Sequence, residues 1–500
     1  MSGSGGPNEE TGIWILPIED GRLRKLRDKA SGAVLAPDDS RIAFLHGNEI
    51  WLMNIDGHAP RRLAAAPPGY SFTETLTWSL DGRSLAYGRR SHDGDAFALE
   101  SRDLDTGRTT QLLSDPRVGG FCWARDGRII YARQEDPPNE TSANLWEASI
   151  DPGTAEVRAK PRRLTNWGGF LFGSLHISTD GRRLSFVRQR FRRHIYVGQL
   201  EASAGRLMSP RRLTFDEWMN WPSGWTRDSK AVLFFSDRNG DLDIFQQSID
   251  DRGAQAMVTG HEEKRDPRLS PDGRWLLYLA WPKADERILV GEGRLMRVTP
   301  GGGSPEPVFR VAGYPGPVRI EPSGTRPSLA AAGHPRFRCP SVPQAPCVLS
   351  EQVRDQAVFT AFDPAGGRGR EVARVDADPG RPTFWDLSPD GRWIAFGTRE
   401  ATSGVIQLVP LAGQAPRSVS AGGWTHLESV AWAANGAGLF VTSYGSKGFP
   451  LLFVSLDGRA RLLHTAHYYA ESPVPSPDGR YLAFGEISPE GNAWIIETKR

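Results

Sequence analysis

Short apolar segments alternate with polar turns along the whole chain, and no segment has the apolar spacing of an amphipathic helix. One example is Trp275-Leu276-Leu277-Tyr278, which follows the turn Ser270-Pro271-Asp272-Gly273-Arg274. In such a turn the glycine tolerates positive φ and the aspartate caps the local backbone, so the flanking segments are expected to pair as a β-hairpin. The pattern therefore predicts short strands joined by tight turns.

This turn recurs, and its central residue serves as an anchor for counting repeats. The anchors are Asp38, Asp81, Asp126, Asp180, Asp228, Asp272, Asp390, Asn435 and Asp478. Neighbouring anchors lie 43 to 54 residues apart, with one longer gap of 118 residues after Asp272. Each regular interval contains four short strand patterns, the last of them basic, as in Arg211-Arg212-Leu213-Thr214. Because a four-stranded blade takes about 45 residues, the fold class is predicted to be an all-β β-propeller.

The long gap after Asp272 has room for two repeats and an insert of roughly 28 residues. A degenerate repeat is visible there, with Phe337-Arg338-Cys339 as its first strand and Ala357-Val358-Phe359-Thr360 as its third. This brings the prediction to about ten four-stranded repeats, in two rings or in one large ring. The predicted organisation is a linker or tag at 1–11, repeats 1–6 with a leading closing strand at 12–311, a Gly/Pro-rich insert loop at 312–335, and repeats 7–10 at 336–498.

Charge and composition narrow the classes of partner. The chain has 61 basic and 59 acidic residues and a formal net charge of +2. An overall positive electrostatic potential that would attract a nucleic acid is therefore not expected. No apolar run is long enough to span a membrane, and Met1-Ser2-Gly3-Ser4-Gly5-Gly6 is typical of an expression linker, which predicts a piece of a longer protein. Among the three cysteines, Cys122 is expected in the core, whereas Cys339 and Cys347 either bridge two hairpin arms or remain thiols.

The common catalytic and metal-binding motifs are missing from the sequence. There is no Gly-x-Ser-x-Gly nucleophile turn and no Gly-x-x-x-x-Gly-Lys-Ser/Thr phosphate loop. His261-Glu262-Glu263-Lys264-Arg265 lacks the second histidine of a zinc helix, and Asp237-Arg238-Asn239-Gly240-Asp241-Leu242-Asp243 reads as a hairpin turn better than as a calcium loop. The chain is therefore predicted to be no enzyme and to hold no cofactor and no metal.

The loops that lead from a fourth strand to the next first strand are the predicted binding site, since in a propeller they meet at one end of the central channel. Their aromatic and polar residues suit a sugar, peptide or protein partner. The candidate ligand-binding residues are Trp167, Glu217, Trp218, His261, Glu262, Asp266, Trp424, His426, Tyr468 and Tyr469. The alternative is that these residues plug the channel or pack between blades.

The turn motif also resembles a known repeat. Ser476-Pro477-Asp478-Gly479-Arg480, followed by Leu482-Ala483-Phe484, resembles the TolB-type propeller repeat, which also occurs in non-catalytic propellers of prolyl-oligopeptidase-like enzymes. Three other segments, at 161–167, 236–245 and 357–364, are similar to the C-terminal propellers of bacterial membrane-anchored signalling proteins. The N-terminal half of those proteins is a serine/threonine kinase or a winged-helix domain, joined through one transmembrane helix. The 312–335 insert departs from the spacing of that group.

The resemblance implies a non-enzymatic sensory propeller on the extracytoplasmic side of the membrane, fused to an upstream kinase or winged-helix domain. Its partner would be an unknown small ligand or protein, with no direct membrane contact within this chain. One alternative is a TolB-like protein-interaction scaffold. Another is the accessory propeller of a prolyl-oligopeptidase-like hydrolase that lacks its catalytic domain.

Overall fold

The computed structural model describes residues 2–3, 12–17, 21–91, 96–124, 126–135, 142–151, 160–178, 180–201, 206–282, 292–312, 334–343, 345–378, 381–399, 403–444, 448–467 and 469–497. The structure contains 63% strand and no helix, which confirms the predicted all-β class. Within the described residues no helix therefore offers the length and apolar character of a membrane span. Most of the predicted linker at 1–11 and of the predicted insert at 312–335 lies outside the described residues.

Forty strands follow one another along the described chain. The first half are β1 (Ser2–Gly3), β2 (Gly12–Ile15), β3 (Arg24–Asp28), β4 (Ala30–Leu35), β5 (Arg41–His46), β6 (Glu49–Asn54), β7 (Arg61–Ala65), β8 (Tyr70–Trp78), β9 (Ser84–Ser91), β10 (Phe97–Asp103), β11 (Thr109–Ser114), β12 (Val118–Trp123), β13 (Arg128–Gln134), β14 (Ala143–Ser149), β15 (Arg162–Arg163), β16 (Leu171–Ile177), β17 (Arg183–Leu200), β18 (Leu207–Arg212), β19 (Asn220–Trp225) and β20 (Ala231–Ser236). The second half are β21 (Asp243–Ser248), β22 (Gln255–Val258), β23 (Glu263–Leu269), β24 (Leu276–Trp281), β25 (Gly293–Val298), β26 (Glu306–Val311), β27 (Arg336–Arg338), β28 (Cys347–Val353), β29 (Gln356–Asp363), β30 (Gly367–Asp376), β31 (Thr383–Leu387), β32 (Trp393–Thr398), β33 (Val405–Pro410), β34 (Arg417–Ser420), β35 (Leu427–Trp432), β36 (Gly438–Ser443), β37 (Phe449–Ser455), β38 (Ala460–Ala466), β39 (Tyr469–Pro475) and β40 (Tyr481–Glu497).

These strands belong to two compact units. Unit 1 includes Met1–Arg190 and Glu490–Arg500, and unit 2 includes Phe191–Arg319 and Ser328–Pro489. The division falls inside the long strands β17 and β40, so each of these strands contributes residues to both units. The prediction left open whether repeats 7–10 form a second ring or continue the first. Repeat spacing counts the sheets, but it does not reveal that two strands are long enough to serve two sheets.

Unit 1 is a series of antiparallel sheets. A three-stranded sheet, β1–β3, is followed by three four-stranded sheets, β4–β7, β8–β11 and β12–β15, and then by β16, which pairs with the first part of β17. Buried apolar residues fill the spaces between neighbouring sheets, with Phe44 between the first two and Phe121 between the third and fourth. The indole of Trp78 adds a polar link, because its Nε1 donates to the carbonyl oxygen of Val34, 3.2 Å away.

Unit 2 contains six four-stranded sheets that close into a ring. Five are β19–β22, β23–β26, β27–β30, β31–β34 and β35–β38. In the sixth, the C-terminal hairpin of β39 and β40 pairs with β17 and β18, in the order β39-β40-β17-β18. A buried apolar cluster lies between every two neighbouring sheets, including the two clusters that flank the sixth sheet. Unit 2 is therefore a six-bladed propeller, closed by its two chain ends.

The packing of blades explains the apolar runs in the sequence. A blade is covered on both faces by its neighbours, so the residues of its middle strands are buried whichever way they point. All six residues of β24 are buried for this reason. The same contacts join β39 to β19, where Trp225 Nε1 donates to the carbonyl oxygen of Val474 at 2.9 Å.

The repeated aspartate is a turn residue, as predicted. Ser270 Oγ donates to Asp272 Oδ1 at 2.5 Å, and the backbone N–H of Arg274 donates to the same oxygen at 3.1 Å. The N–H of Trp275 in turn donates to Ser270 Oγ at 3.0 Å. The bond from the Ser270 hydroxyl lowers the pKa of the Asp272 carboxyl. Equivalent Ser–Asp pairs occur at 79/81, 178/180, 388/390 and 476/478.

The oxygen-rich segment 237–243 is also a turn. Gly240 has a φ of +88°, and its N–H donates to the carbonyl oxygen of Asp237 at 2.9 Å. Asn239 Nδ2 donates to Asp243 Oδ2, while Asp243 Oδ1 accepts from the buried Lys264 Nζ, both at 2.8 Å. These side chains are thus bonded within the protein, as a structural turn requires.

The two adjacent cysteines form a disulfide. Cys339, directly after β27, is bonded to Cys347, the first residue of β28. The other cysteine, Cys122, is buried, and burial raises the pKa of its thiol to about 12. It therefore behaves as a small core residue, as predicted.

Candidate functional site

The first strands of the six sheets of unit 2 surround a single cavity, here called the channel. First strands of neighbouring sheets contact one another, as β19 does with β23 and β39. The empty space of the channel is about 1040 Å³, part of it open to solvent. Every first strand contributes to the lining, which includes Trp221–Ser223, Arg265, Asp266, Arg268, Arg336, Arg338, Phe384–Asp386, Ser429–Ala431 and Glu471–Pro475.

Four of the strands that line the channel have register shifts, and in two of them, β23 and β39, the shift encloses a residue with positive φ. The register of β23 shifts between Arg265 and Arg268, and that of β39 shifts between Glu471 and Val474. Inside these bulges Asp266 has a φ of 52° and Ser472 a φ of 50°. A left-handed conformation is unfavourable for residues other than glycine, and it is held here by the ring of strands around it. Bulges of this kind redirect side chains, and they are common beside binding and active sites.

The channel lining has an excess of positive charge. Six arginines line it, at positions 193, 265, 268, 336, 338 and 399, together with His334. The carboxylates of the lining, within the described chain, are Asp266, Asp386 and Glu471. The lining thus has a formal excess of three positive charges with His334 neutral. Since the whole chain has a net charge of only +2, this concentration is local to the channel.

Some of these arginines are paired with carboxylates. Arg338 Nε donates to Asp386 Oδ1 at 2.9 Å, and the other oxygen of that carboxylate accepts the backbone N–H of Trp432 at 2.8 Å. Arg193 is 1% exposed, forms an ion pair of 2.5 Å with Glu471 and lies over the ring of Trp221 at 4.7 Å. Burial lowers the pKa of Arg193. The Arg338–Asp386 pair connects neighbouring blades, the Arg193–Glu471 pair lies within the sixth blade, and both neutralise part of the lining.

A third paired arginine belongs to a buried network between β35 and β39. Arg399 Nε donates to the carbonyl oxygen of Glu428 at 3.0 Å and lies 3.5 Å from its Oε2. The Tyr469 hydroxyl donates to the same Oε2 at 2.5 Å. Burial raises the pKa of Tyr469 well above its ordinary value, so this phenol stays protonated. The network holds the wall of the channel together.

Arg268 differs from these three paired arginines in its contacts. Within the described residues it makes no ion pair and no hydrogen bond, and its Nε is buried. Burial lowers its pKa to about 9, with the charges of Arg338 and Arg336 acting in the same direction and those of Asp386 and Asp266 opposing them. Its neighbour Arg336 donates from Nε to His334 Nε2 at 2.8 Å, a bond that requires a neutral imidazole with its proton on Nδ1. The wall formed by β23 and β27 therefore concentrates positive charge.

Of the ten sequence-predicted site residues, the structure places Asp266 in the channel lining and Tyr469 in the adjoining buried network. Tyr468 lies outside the described residues. Trp167 belongs to unit 1, where its ring packs against Phe172 and Phe186 with centroids 5.8 and 6.0 Å away.

The other six lie on loops of unit 2 outside the channel lining. On one loop, Trp218 is 46% exposed and Glu217 lies 3.4 Å from Arg192. On the second, His261 is exposed and Glu262 pairs with Arg294. On the third, Trp424 is half-buried and His426 packs against Tyr444. The structure does not bring these six residues together at the channel.

The arginines of the channel were missed because the prediction searched loops, whereas the lining comes from the first strands themselves. A signal was present in the sequence. The first strands at 264–268 and 336–338 contain several basic residues, whereas the first strand Asn220-Trp221-Pro222-Ser223-Gly224-Trp225 has no charged residue. Charged side chains on the innermost strand of a blade point to a polar channel.

Comparisons with known proteins add only to the description of the fold. No family model and no curated protein sequence matches the chain. Among solved structures, the chain is similar to TolB of Agrobacterium tumefaciens, at 14% identity over 64% of this chain and 92% of the other, with a TM-score of 0.25. It is also similar to TolB of Acinetobacter baumannii, at 11% identity, 76% and 80% coverage and a TM-score of 0.22. A third is the β-propeller domain of the trilobed protease of Pyrococcus furiosus, at 15% identity, 61% and 91% coverage and a TM-score of 0.27. The β-propeller fold that the sequence repeat predicted is shown by the four-stranded sheets themselves, and these proteins are what the chain is similar to.

Proposed function

We propose that the chain is a non-enzymatic, ligand-binding sensory propeller of a bacterial signalling protein, and that the channel of unit 2 is its ligand site. One observation supports this most: the first strands of all six blades converge on one cavity lined by six arginines. The convergence of charged side chains from several blades on one enclosed space is typical of a ligand site. The two left-handed residues at the channel wall, Asp266 and Ser472, fit a built site, because strain of this kind accumulates where a structure serves binding.

An extracytoplasmic location belongs to the same proposal. The Cys339–Cys347 disulfide supports it, because structural disulfides persist in oxidising compartments and are rare in the cytosol. The fusion to an upstream kinase or winged-helix domain, with a membrane anchor, rests on the sequence resemblance alone.

A protein-interaction scaffold is the second candidate. It is favoured by Phe215 and Trp218, which are 63% and 46% exposed on the loop between β18 and β19. Exposed aromatic residues on one short loop suit a contact with a protein partner. A protein contact at this loop would not use the channel. Blocking the channel would therefore abolish binding if the channel is the ligand site, and would leave binding intact if this loop is the contact site.

The test is to capture a ligand and then block the channel. The purified protein would be dialysed against a bacterial metabolite extract, and retained molecules would be identified by mass spectrometry. Ser472→Trp adds an indole to the lining, and Ser209→Trp is its matched control because Ser209 also has positive φ, at 41°, but is exposed on β18. The proposal expects retention by the wild type and the control and its loss in Ser472→Trp. Retention that is equal in both variants, or no retention by the wild type, would contradict the channel as the ligand site.

A further inference from the structure

The positive charge of the channel is unevenly distributed around the ring. Arg193 and Arg399 are engaged by Glu471 and Glu428 on the side of β35 and β39. On the opposite side, β23 contributes Arg265 and Arg268, and the neighbouring strand β27 contributes Arg336 and Arg338. The two arginines on the side of β35 and β39 are therefore paired with carboxylates. The opposite side presents a patch of four guanidinium groups, of which that of Arg338 is paired with Asp386.

The acidic groups near this patch do not balance it. Asp386 is committed to Arg338 and to the backbone N–H of Trp432, so both of its oxygens are already bonded. Asp266 is the other carboxylate of this wall within the described residues of the lining. Arg336 Nε also donates to His334 Nε2 at 2.8 Å. Within the described lining, the four arginines of this patch therefore face two carboxylates, Asp266 and Asp386.

Arg268 is the centre of this patch. It lies at the edge of the β23 bulge, and its Nε is buried without a hydrogen-bond partner in the described chain. The Nε–H group has lost hydration without gaining a protein acceptor, which is unfavourable unless a ligand supplies one. Burial lowers the pKa of Arg268, and repulsion from Arg338 and Arg336 lowers it further.

We infer that the ligand of the channel is a small polyanion whose carboxylate or phosphate groups bind Arg268 and the arginines beside it on β23 and β27. This inference rests on the proposed function and specifies its ligand class. The planar fork of a guanidinium matches both a carboxylate and a phosphate through paired N–H···O bonds, and several such forks on one wall suit a ligand with more than one acidic group.

The experiment uses citrate as a carboxylate probe, inorganic pyrophosphate as a phosphate probe and glucose as a neutral probe, each titrated into the full chain by calorimetry at constant ionic strength. The binding variant is Arg268→Gln. Its matched control is Arg274→Gln, since the Arg274 side chain is 81% exposed in the hairpin turn that follows β23. We expect at least one of the two anions to bind, glucose to show no heat of binding, and Arg268→Gln to weaken anion binding about tenfold or more while Arg274→Gln changes it less than about twofold.

The relative affinity for citrate and pyrophosphate distinguishes the two acidic groups. A thermal unfolding scan accompanies each titration, and Arg268→Gln should unfold no lower than the wild type without ligand while losing the stabilisation by anion. Equal anion affinity of Arg268→Gln and wild type would overturn the inference, and so would the absence of binding by either anion. If a neutral molecule is then captured from the metabolite extract and lost in Ser472→Trp, the inference fails and the proposed function stands; if nothing is captured either, both fail.

Discussion

Replacing Arg268 by methionine is expected to stabilise unit 2 in the absence of ligand. The substitution removes a half-buried guanidinium that has no ion pair within the described residues, and it keeps an unbranched apolar side chain against the channel wall. A net gain in stability from deleting a native side chain is unusual, because most substitutions destabilise. It would show that Arg268 is kept for binding at a cost to folding.

The expected gain in stability can be estimated from the free-energy cost of keeping Arg268 charged in the folded protein. The pKa of Arg268 falls from 12.5 to about 9, and each pKa unit corresponds to about 1.36 kcal/mol, so the cost of the charge has a ceiling of about 5 kcal/mol. Arg268 still faces the water of the channel, which screens the charge, and the substitution also loses packing of the long stem. We therefore expect a net gain of about 1–2 kcal/mol in the free energy of unfolding.

The assay is urea unfolding followed by tryptophan fluorescence, with Arg274→Met as the control. The folded pKa of Arg268 lies below its unfolded value, so at neutral pH the group is charged in both states and destabilises the folded one. This cost is constant until the pH approaches about 9, so the gain should be the same at about pH 6 and pH 8. A loss of about 1 kcal/mol or more in Arg268→Met, with no change in the control, would refute the reasoning, because it would mean that Arg268 has a counter-charge.

Three further outcomes are expected. Trp225→Phe should lower the free energy of unfolding about 1–2 kcal/mol more than Trp432→Phe does. The reason is that the Trp225 indole donates to a carbonyl oxygen of β39, whereas the Trp432 indole has no acceptor within the described chain. Equal losses of stability in urea unfolding would contradict this prediction. Replacing both disulfide cysteines by serine should cost about 2–3 kcal/mol in the same assay, and no loss would mean that the bond is not formed. Ser270→Ala should raise the pKa of Asp272 measured by NMR, and an unchanged pKa would contradict the assignment. Because the folded pKa of Asp272 lies below its unfolded value, the stability from this pair is present above about pH 4 and is lost as the pH falls through the folded pKa.

The repeat was predictable because every blade needs the same turn. The hydroxyl of Ser270 and the carboxylate of Asp272 cap one hairpin, and the same pair recurs at 79/81, 178/180, 388/390 and 476/478. Even the degenerate repeat at 336–376 was located correctly, and it forms β27–β30 in the structure. These hydrogen bonds join residues that are close in sequence, so the residue types that form them recur together as a motif that can be seen in the sequence alone.

The closure of the ring was not predictable from these patterns. It depends on β40 pairing with β17, residues that lie almost three hundred positions apart, and no turn motif records that contact. The channel site was missed for a related reason. Arg268 and Arg336 are separate in sequence, and they share one wall only because β23 and β27 become neighbouring first strands. The predicted loop residues, such as Trp218, had the right chemistry for binding but lie outside the channel lining.

A crystal structure of the protein grown with citrate or with pyrophosphate, whichever binds more tightly, tests the central claim most directly. The account predicts that the anion lies in the channel of unit 2, with acidic oxygens about 3 Å from the guanidinium nitrogens of Arg268 and of at least one arginine of β27. An anion bound elsewhere on the chain, with only water beside Arg268, would contradict it.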